Sequence, residues 1–390
     1  MKETLTHDVA IIGAGIFGLS IARRCAQNGK RVVLIDKAAV GQGASGGVLG
    51  ALMPHIPARW NEKKAFQFAA LSSLAAHIAE LEAETGIATG YRRTGRLMPI
   101  YTEDKRDHAR LRAQESVERW QSAATGFTFQ VSQTSPSSDW LSPTSTPFGY
   151  AFDTLAARIF PRHYIAALTA SLKGRCHFLE QSTVTDFDDT NGHISFERHG
   201  PAIVAEKIVL AAGYRTFRMI EKKEGVQLGS GVKGQATLLA GINTDGLPVI
   251  YDSGVYVVPH EGDLVAVGST SERTWKDPVE PDLSNLDFLR RAELFCPSLK
   301  EARIVEHWAG VRPKCTRRDP LVGAVPGRAR TYVATGGFKI SFGIAHRVAD
   351  ALYERMYETT PSTSLPPSFE PDFHWIPGRQ RSRGSDNSEV

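Results

Sequence analysis

Residues 8–36 read DVAIIGAGIFGLSIARRCAQNGKRVVLID, and this stretch decides the fold. Asp8–Ile12 is a short apolar run with the character of a buried strand, and Gly13-x-Gly15-x-x-Gly18 follows it at once. An amphipathic pattern then begins, with Leu19, Ile21, Ala22 and Cys25 on one side and Arg23, Arg24 and Gln27 on the other. Asn28-Gly29 stops that helix, and Arg31–Ile35 is a second strand ending on Asp36. Gly13 permits a tight turn, Gly15 lets the backbone approach a pyrophosphate, and Gly18 lets helix and strand pack closely. The helix start, with Ile16 and Phe17 in its first turn, offers free N–H groups and the positive end of a dipole. Asp36, eighteen residues past Gly18, is spaced to accept hydrogen bonds from a ribose, with Lys37 beside it. A glycine triplet alone is weak evidence. Strand, glycines, helix, strand and acid in this order specify a dinucleotide site.

The 390 residues exceed one average domain, so two lobes are expected. With 42% hydrophobic and 23% charged residues, the composition is that of an ordinary globular chain. The net charge of +4 is small, and no basic stripe is concentrated enough to indicate a nucleic-acid partner. Arg92-Arg93 and Arg317-Arg318 read as solvated faces. Cys25, Cys176, Cys296 and Cys315 lie far apart without metal-type spacing, which implies reduced thiols, no disulfide framework and no metal site. The N-terminus lacks an apolar signal region, and no window approaches the ~18 apolar residues of a membrane span. A cytoplasmic protein is expected. From Thr359 onward the chain is rich in Pro, Ser and Arg and reads as a poorly ordered tail, with Phe369, Phe373 and Trp375 available to pack on the body.

Further along, Gly41–Gly50 is a glycine-rich connection, and Ala65–Thr85 has helical spacing closed by Gly86. A strand over Thr94–Tyr101, a charged helix over Glu103–Gln121 and a Ser/Pro-rich loop over Ser132–Pro147 follow. A helix over Phe160–Leu172, a short strand over His177–Leu179 and a buried strand over Lys207–Gly213 come next. Val255–Pro259 and Leu264–Gly268 read as an antiparallel pair turning at Gly262-Asp263, and Thr331–Gly337 as a strand running into a helix over Ile344–Tyr357. Nucleotide-binding elements thus stand at the start, middle and end, with antiparallel sequence between them. The fold class is α/β: a Rossmann-like domain over 1–90, 150–222 and 305–358, interleaved with an α+β substrate domain on an antiparallel or mixed sheet over 91–149 and 223–304.

Five stretches resemble one family, the FAD-dependent D-amino-acid oxidase superfamily, in its glycine oxidase and sarcosine oxidase branch. They are DVAIIGAGIFGLSIA with VVLID, GQGASGGVLGA, KIVLAAGYRT (207–216), VYVVPHEGDLVAVGST (255–270), and HWAGVRPKCTRRDPLVGAVPG with YVATGGFKISFGIA (307–345). The resemblance spans about residues 7–357 and implies FAD, held non-covalently, in place of NAD. It implies cofactor contacts from Ala44, Ser45 and Gly46, whose N–H groups can form an anion-holding concavity. Ala212 and Gly213 end the third strand, and Val184 matches a position whose backbone meets adenine. Gly336, Gly337, Phe338, Lys339, Ile340 and Ser341 form a turn before a helix, placed to stabilise negative charge on the reduced flavin.

The resemblance also implies the substrate chemistry. Arg312 matches an arginine that forks the substrate carboxylate, a contact that guanidinium geometry suits. Tyr256 matches a tyrosine that hydrogen-bonds the same group. Lys339 stands where related glycine oxidases carry arginine, which leaves the substrate open. His55, Arg59 and Arg96 fall where the family lines its cavity, and Cys315 raises the separate question of a covalent flavin. The expected reaction is oxidation of the C–N bond of a small amino acid or N-alkyl amino acid. Hydride passes to flavin N5, and the resulting imine hydrolyses to an oxo acid. The acceptor is open between oxygen and a quinone or carrier, because the strand Leu264–Gly268 lacks the lysine that sarcosine-type oxidases place there. Nothing in the sequence opposes a homo-oligomer. Two alternatives stand beside this reading. GALMPHI also resembles the FAD domain of an enzyme acting on a carboxymethylaminomethyl group of tRNA, and a flavin-binding subunit of a heteromeric dehydrogenase would share the same nucleotide elements.

Overall fold

A computed structural model describes residues 4–133, 139–197, 200–282, 284–358, 360 and 362–375. The decisive stretch folds as β1 (Thr4–Ile12), α1 (Ile16–Gln27) and β2 (Val32–Ile35). β1 lies between two parallel neighbours, β2 on one side and the strand Ala202–Leu210 on the other. Cys176–Leu179 extends the sheet in parallel beyond β2, and Thr331–Thr335 does so beyond Ala202–Leu210. Leu321–Ala324 closes that edge antiparallel, and a hairpin of Val184–Phe187 and His193–Phe196 attaches to Ala202–Leu210. Val9–Ile12 and Val32–Ile35 are buried throughout, so these strands read as unbroken apolar runs and not as alternating ones.

One face of this sheet is covered by α1, α2 (Glu62–Thr85) and the helices Pro161–Ser171 and Ser341–Tyr357, which share one core. The helix α2 starts at Asn61, whose side chain accepts the Lys64 N–H at 3.1 Å, and ends at Gly86. Gly86 sits at φ 69°, where its N–H reaches the Glu82 carbonyl. Its buried stripe of Phe66, Ala70, Leu74, Ile78 and Leu81 follows the helical spacing of the sequence.

The second sheet runs in the order Arg303–Cys315, Gly229–Ala240, Leu264–Gly268, Val255–His260, Val249–Asp252, Arg96–Pro99, Tyr150–Asp153, Phe129–Ser132. Every pairing is antiparallel except Val249–Asp252 with Arg96–Pro99. Tyr150–Asp153 and Arg303–Cys315 hydrogen-bond into the second sheet; the first lies at the start of the expected range 150–222, and the second runs across the expected boundary between 304 and 305. Strand pairing, invisible to local pattern, decides which lobe a segment joins.

Gly229–Ala240 was absent from the elements expected above. Its glycines and polar residues suppress any strand pattern, yet it is mostly buried. The glycines make room for the neighbouring strand: a Cβ at Gly231 would lie 2.5 Å from a Val311 methyl. The tail is a second correction. Pro367–Phe369 and Pro371–His374 form short helical turns, and Phe369 is fully buried edge-on to Phe66 at 5.4 Å. Trp375 packs on the core of the other face and Phe373 is exposed. Phe369 and Trp375, with buried Leu365 and Pro371, supply the apolar area that holds a segment whose composition suggested otherwise. Residues 359, 361 and 376–390 lie outside the described residues. The Ser/Pro-rich stretch is likewise anchored, by buried Trp140 and Leu141, with residues 134–138 outside the description. Among the described residues no helix is long and apolar enough to cross a membrane.

Candidate active site

The carboxyl ends of the parallel strands open onto a cavity of about 1090 Å³, lined from both sheets. That is the edge where open α/β sheets bind ligands, and the volume exceeds the ~300–1,000 Å³ of ordinary small-molecule pockets. Gly13, Ala14 and Gly15 leave β1 here, Asp36 and Lys37 leave β2, and Ala212 and Gly213 follow Ala202–Leu210. Phe338, Lys339, Ile340 and Ser341 follow Thr331–Thr335. Ile16, Phe17, Ala44, Ser45 and Val184 also line it. Four of the expected residues stand behind the lining: Gly18, Gly46, Gly336 and Gly337.

Those four act through close packing. A Cβ at Gly18 would fall on the Gly13 carbonyl oxygen, and one at Gly336, where φ is 76°, would fall on the Cys315 sulfur. At Gly337 it would meet Ser341 Oγ and, at 2.8 Å, the Phe17 ring. Gly46 offers its carbonyl to Arg162 Nε at 2.8 Å. Gly15 is different, since a Cβ there would meet only Ser45 Oγ, at 3.1 Å. Its backbone is open to the cavity.

The end of α1 is organised by side chains distant in sequence. Ser45 Oγ accepts the Ile16 N–H at 3.0 Å, and Asp36 Oδ2 accepts the Ala14 N–H at 2.7 Å. Asp36 Oδ1 also accepts the Ala38 N–H at 2.9 Å, which fixes the carboxylate at the end of β2. The helix Ser341–Tyr357 begins three residues earlier than its sequence pattern suggests, so its first turn reaches the cavity wall at Ser341 and Phe342. Phe338 in the preceding turn has φ 44°, a strained conformation for a side chain of that size.

At the other end the second sheet brings Arg312 and Tyr256 together. Arg312 Nη1 donates to Ser269 Oγ at 3.0 Å and Nη2 to the Thr270 carbonyl at 2.5 Å. Its guanidinium lies 4.9 Å from the Phe338 ring centre, and its buried Nε has no partner among the described residues. Arg312 has no carboxylate partner among them either, and burial lowers its pKa to about 10, so it stays cationic at neutral pH. Burial pushes the Tyr256 phenol up to about 12, keeping it a proton donor. Tyr251 packs on Tyr256 with ring centres 4.7 Å apart. Lys339 reaches the same region, its Nζ 5.6 Å from the Tyr256 ring centre. Desolvation, with Arg312 and Lys314 adjacent, brings its ammonium down to about 8.

His55 lines the cavity, but its ring and backbone N–H both meet Gln67 Oε1, the latter at 2.7 Å. Burial lowers its pKa to about 4, so it is neutral at pH 7. Arg96 lines the wall as one half of a buried ion pair with Asp153 at 2.7 Å. Arg59 is outside the lining, and Cys315 is buried in the core behind it, with its thiol pushed up by burial. Sequence reasoning passed over Gly234, Ser269 and Thr270, which together set where Arg312 sits. A Cβ at Gly234 would come within 2.6 Å of the guanidinium. A glycine inside a strand marks a close approach by another group, but no strand pattern surrounds Gly234 in the sequence to reveal it. Among the described residues no group of three His, Cys, Asp or Glu could hold a metal ion.

The Rossmann-type cradle and its cavity match a known class. The sequence pattern of the FAD dependent oxidoreductase family spans residues 8–351, and the chain belongs to that family. Its cofactor is FAD and it is an oxidoreductase. The glycine oxidase of Geobacillus kaustophilus is 26% identical over 351 residues, covering 86% of this chain and 89% of that protein. Its crystal structure superposes with a TM-score of 0.81 at 22% identity, over 93% of this chain and 97% of that one. An iminodiacetate oxidase from a Chelativorans species gives a TM-score of 0.81 at 22% identity, over 93% and 98%. The bifunctional tRNA 5-methylaminomethyl-2-thiouridine biosynthesis protein of Marinobacter nauticus is 25% identical over 369 residues, 85% of this chain but 52% of that protein.

The structure fits the cofactor at three points. The α1 terminus and Gly15 present open backbone where a pyrophosphate needs donors. Asp36 at the end of β2 supplies an acceptor of the kind a ribose requires, and the start of the helix Ser341–Tyr357 puts a positive dipole end on the cavity wall, which suits a group that gains negative charge.

Proposed function

We propose that this protein oxidises the C–N bond of a small amino acid or N-alkyl amino acid. The observation that carries the reading is Arg312: a half-buried guanidinium with a buried, unpartnered Nε and no ion pair among the described residues, in the wall of the cavity that also holds the dinucleotide cradle. A buried cation without a partner is costly unless an anion binds it, and a substrate carboxylate is the anion an oxidoreductase of amines would offer. Tyr256, protonated at all physiological pH, donates a second hydrogen bond to the same carboxylate. Ser269 and Thr270, with the Lys233 carbonyl and Ser271 Oγ at longer range, fix the guanidinium at the cavity wall.

In this assignment Gly13, Gly15, Ile16 and Phe17 frame the pyrophosphate, Asp36 and Lys37 the ribose, and Val184 the adenine. Ala44, Ser45, Ala212 and Gly213 border the connecting chain, while Phe338, Lys339, Ile340 and Ser341 border the flavin ring. Gly18, Gly46, Gly336 and Gly337 shape this cradle from behind. When bound, FAD accepts the hydride. The chain's residues bind the carboxylate, orient the α C–H and narrow the site against water, so proximity and a preformed anion environment supply the acceleration. Neutral His55 fits a positioning role through its wall contact and not an acid's role. The glycine oxidase and iminodiacetate oxidase relatives support the same chemistry. Four free cysteines, three of them buried, fit a cytoplasmic setting.

The test is anaerobic mixing of the yellow protein with glycine, sarcosine, proline and D-amino acids, read as flavin bleaching near ~450 nm. Bleaching by a carboxylate-bearing amine that is lost in Arg312→Ala supports the reading. Retention of full activity by that variant refutes it.

A further inference from the structure

The substrate end of the cavity holds more positive charge than one carboxylate requires. Three cations surround a single aromatic ring. Relative to the Phe338 centroid, the Arg312 guanidinium carbon lies at 4.9 Å, Lys314 Nζ at 5.3 Å and Lys339 Nζ at 5.9 Å. A ring face attracts each of them weakly and neutralises none. Two nearby acids are engaged elsewhere, Asp153 with Arg96 and Asp319 with Lys63. Glu272, held by Gln235 and Thr270, supports the Arg312 charge through space without an ion pair to it.

Asp36 is the one acid that lines the cavity among the described residues. It ends β2, three strand positions from Thr335, or roughly 14 Å away at ~4.8 Å per spacing, and already holds two backbone N–H groups. Lys339 has no hydrogen bond or ion pair among the described residues; its contacts are the Tyr256 and Phe338 rings. Lys339 lines the cavity as an exposed side chain, and desolvation together with Arg312 and Lys314 still lowers the pKa of its ammonium. Like charges so close repel one another, and the arrangement favours a counter-charge entering from the cavity. Arg312 accounts for one such charge. Lys339 calls for another.

We propose that the amine substrate carries a second anionic group, in its simplest form a second carboxylate, which Lys339 receives while Arg312 holds the first. The proposal rests on the amine-oxidising reading of the site above. Compounds of this class include iminodiacetate, in which two carboxylates flank one nitrogen, and aspartate.

The test begins with binding, without turnover. Oxydiacetate and methoxyacetate are ether counterparts of iminodiacetate and sarcosine, with no C–N bond to oxidise, and each is titrated into the FAD-loaded protein by its perturbation of the flavin spectrum. Oxydiacetate should bind about 10-fold or more tightly than methoxyacetate. Lys339→Met should abolish that preference, weakening oxydiacetate about 10-fold more than methoxyacetate, and Lys339→Arg should restore it. Anaerobic reduction by iminodiacetate and aspartate should then exceed that by sarcosine and glycine in kcat/KM. Equal affinity for the two ethers, or an equal loss of both in Lys339→Met, would overturn the proposal and assign the lysine to the flavin or to folding. A Lys339-dependent preference for oxydiacetate with no amine able to bleach the flavin would instead overturn the amine chemistry and leave the two-anion site standing.

Discussion

Gly234→Ala separates the position of Arg312 from its presence. The alanine Cβ would stand 2.6 Å from both the Arg312 guanidinium carbon and Nη2, and 2.9 Å from Nε. Carbon needs about 3.5 Å to such neighbours, so the guanidinium must retreat by roughly 0.9 Å. A retreat of that size stretches the 3.0 Å bond to Ser269 Oγ past hydrogen-bonding range. The backbone itself tolerates alanine, because residue 234 lies in a strand and not among the positive-φ positions. The clash falls on the far end of a long side chain, which yields at little cost, so stability should change by no more than about 1 kcal/mol. Chemistry is less forgiving. A displacement near 1 Å in a positioning group costs on the order of 100-fold in rate. The assay is kcat/KM for the amine that bleaches the flavin fastest, with thermal midpoint and bound FAD measured on the same preparation. A folded, yellow variant with wild-type kcat/KM would refute the claim that Gly234, Ser269 and Thr270 set a productive position for Arg312.

Three further expectations test other parts of the molecule. Gly18→Ala places a Cβ on the Gly13 carbonyl and should yield little folded protein, whereas Gly15→Ala meets only Ser45 Oγ and should fold but retain FAD poorly; soluble yield and flavin-to-protein ratio separate them. Acid precipitation should release all the flavin into the supernatant in wild type and in Cys315→Ser alike, since Cys315 is buried behind the cavity wall; a yellow pellet that the serine variant abolishes would show a covalent link. His77 and His346 stack with ring centres 4.9 Å apart, and burial lowers their pKa values to about 4 and about 3. Both are neutral in the folded state, so below pH ~6.5 the unfolded chain binds more protons and each imidazole removes up to about 1.4 kcal/mol of stability per pH unit. The thermal midpoint should drop between pH 7 and pH 5, and His346→Phe should shrink that drop; an unchanged slope would refute the assignment.

Residues 8–36 mark the strand–helix–strand unit by themselves, because the features that define it are local: a turn that favours glycine, a helix that starts where it ends, a second strand closed by an acid. Local pattern also marks α2, from Asn61 to Gly86, and the hairpin at 255–268. The substrate end is another matter. The strand Gly229–Ala240 carries no periodicity because its glycines answer to side chains on a partner strand some eighty residues further along. Ser269, Thr270 and Gly234 become one clamp for Arg312 only once three strands lie side by side. The tail segment around Phe369 is ordered by a groove that exists only after the helices pack. Which cations are paired and which remain bare also depends on distant partners: Arg96 finds Asp153 across a sheet, while Lys339 finds no acid among the described residues. Backbone stereochemistry and hydrophobic period act over a few residues and can be read along the chain. Charge balance and close approach act through space, and for this protein they were decided by the tertiary structure alone.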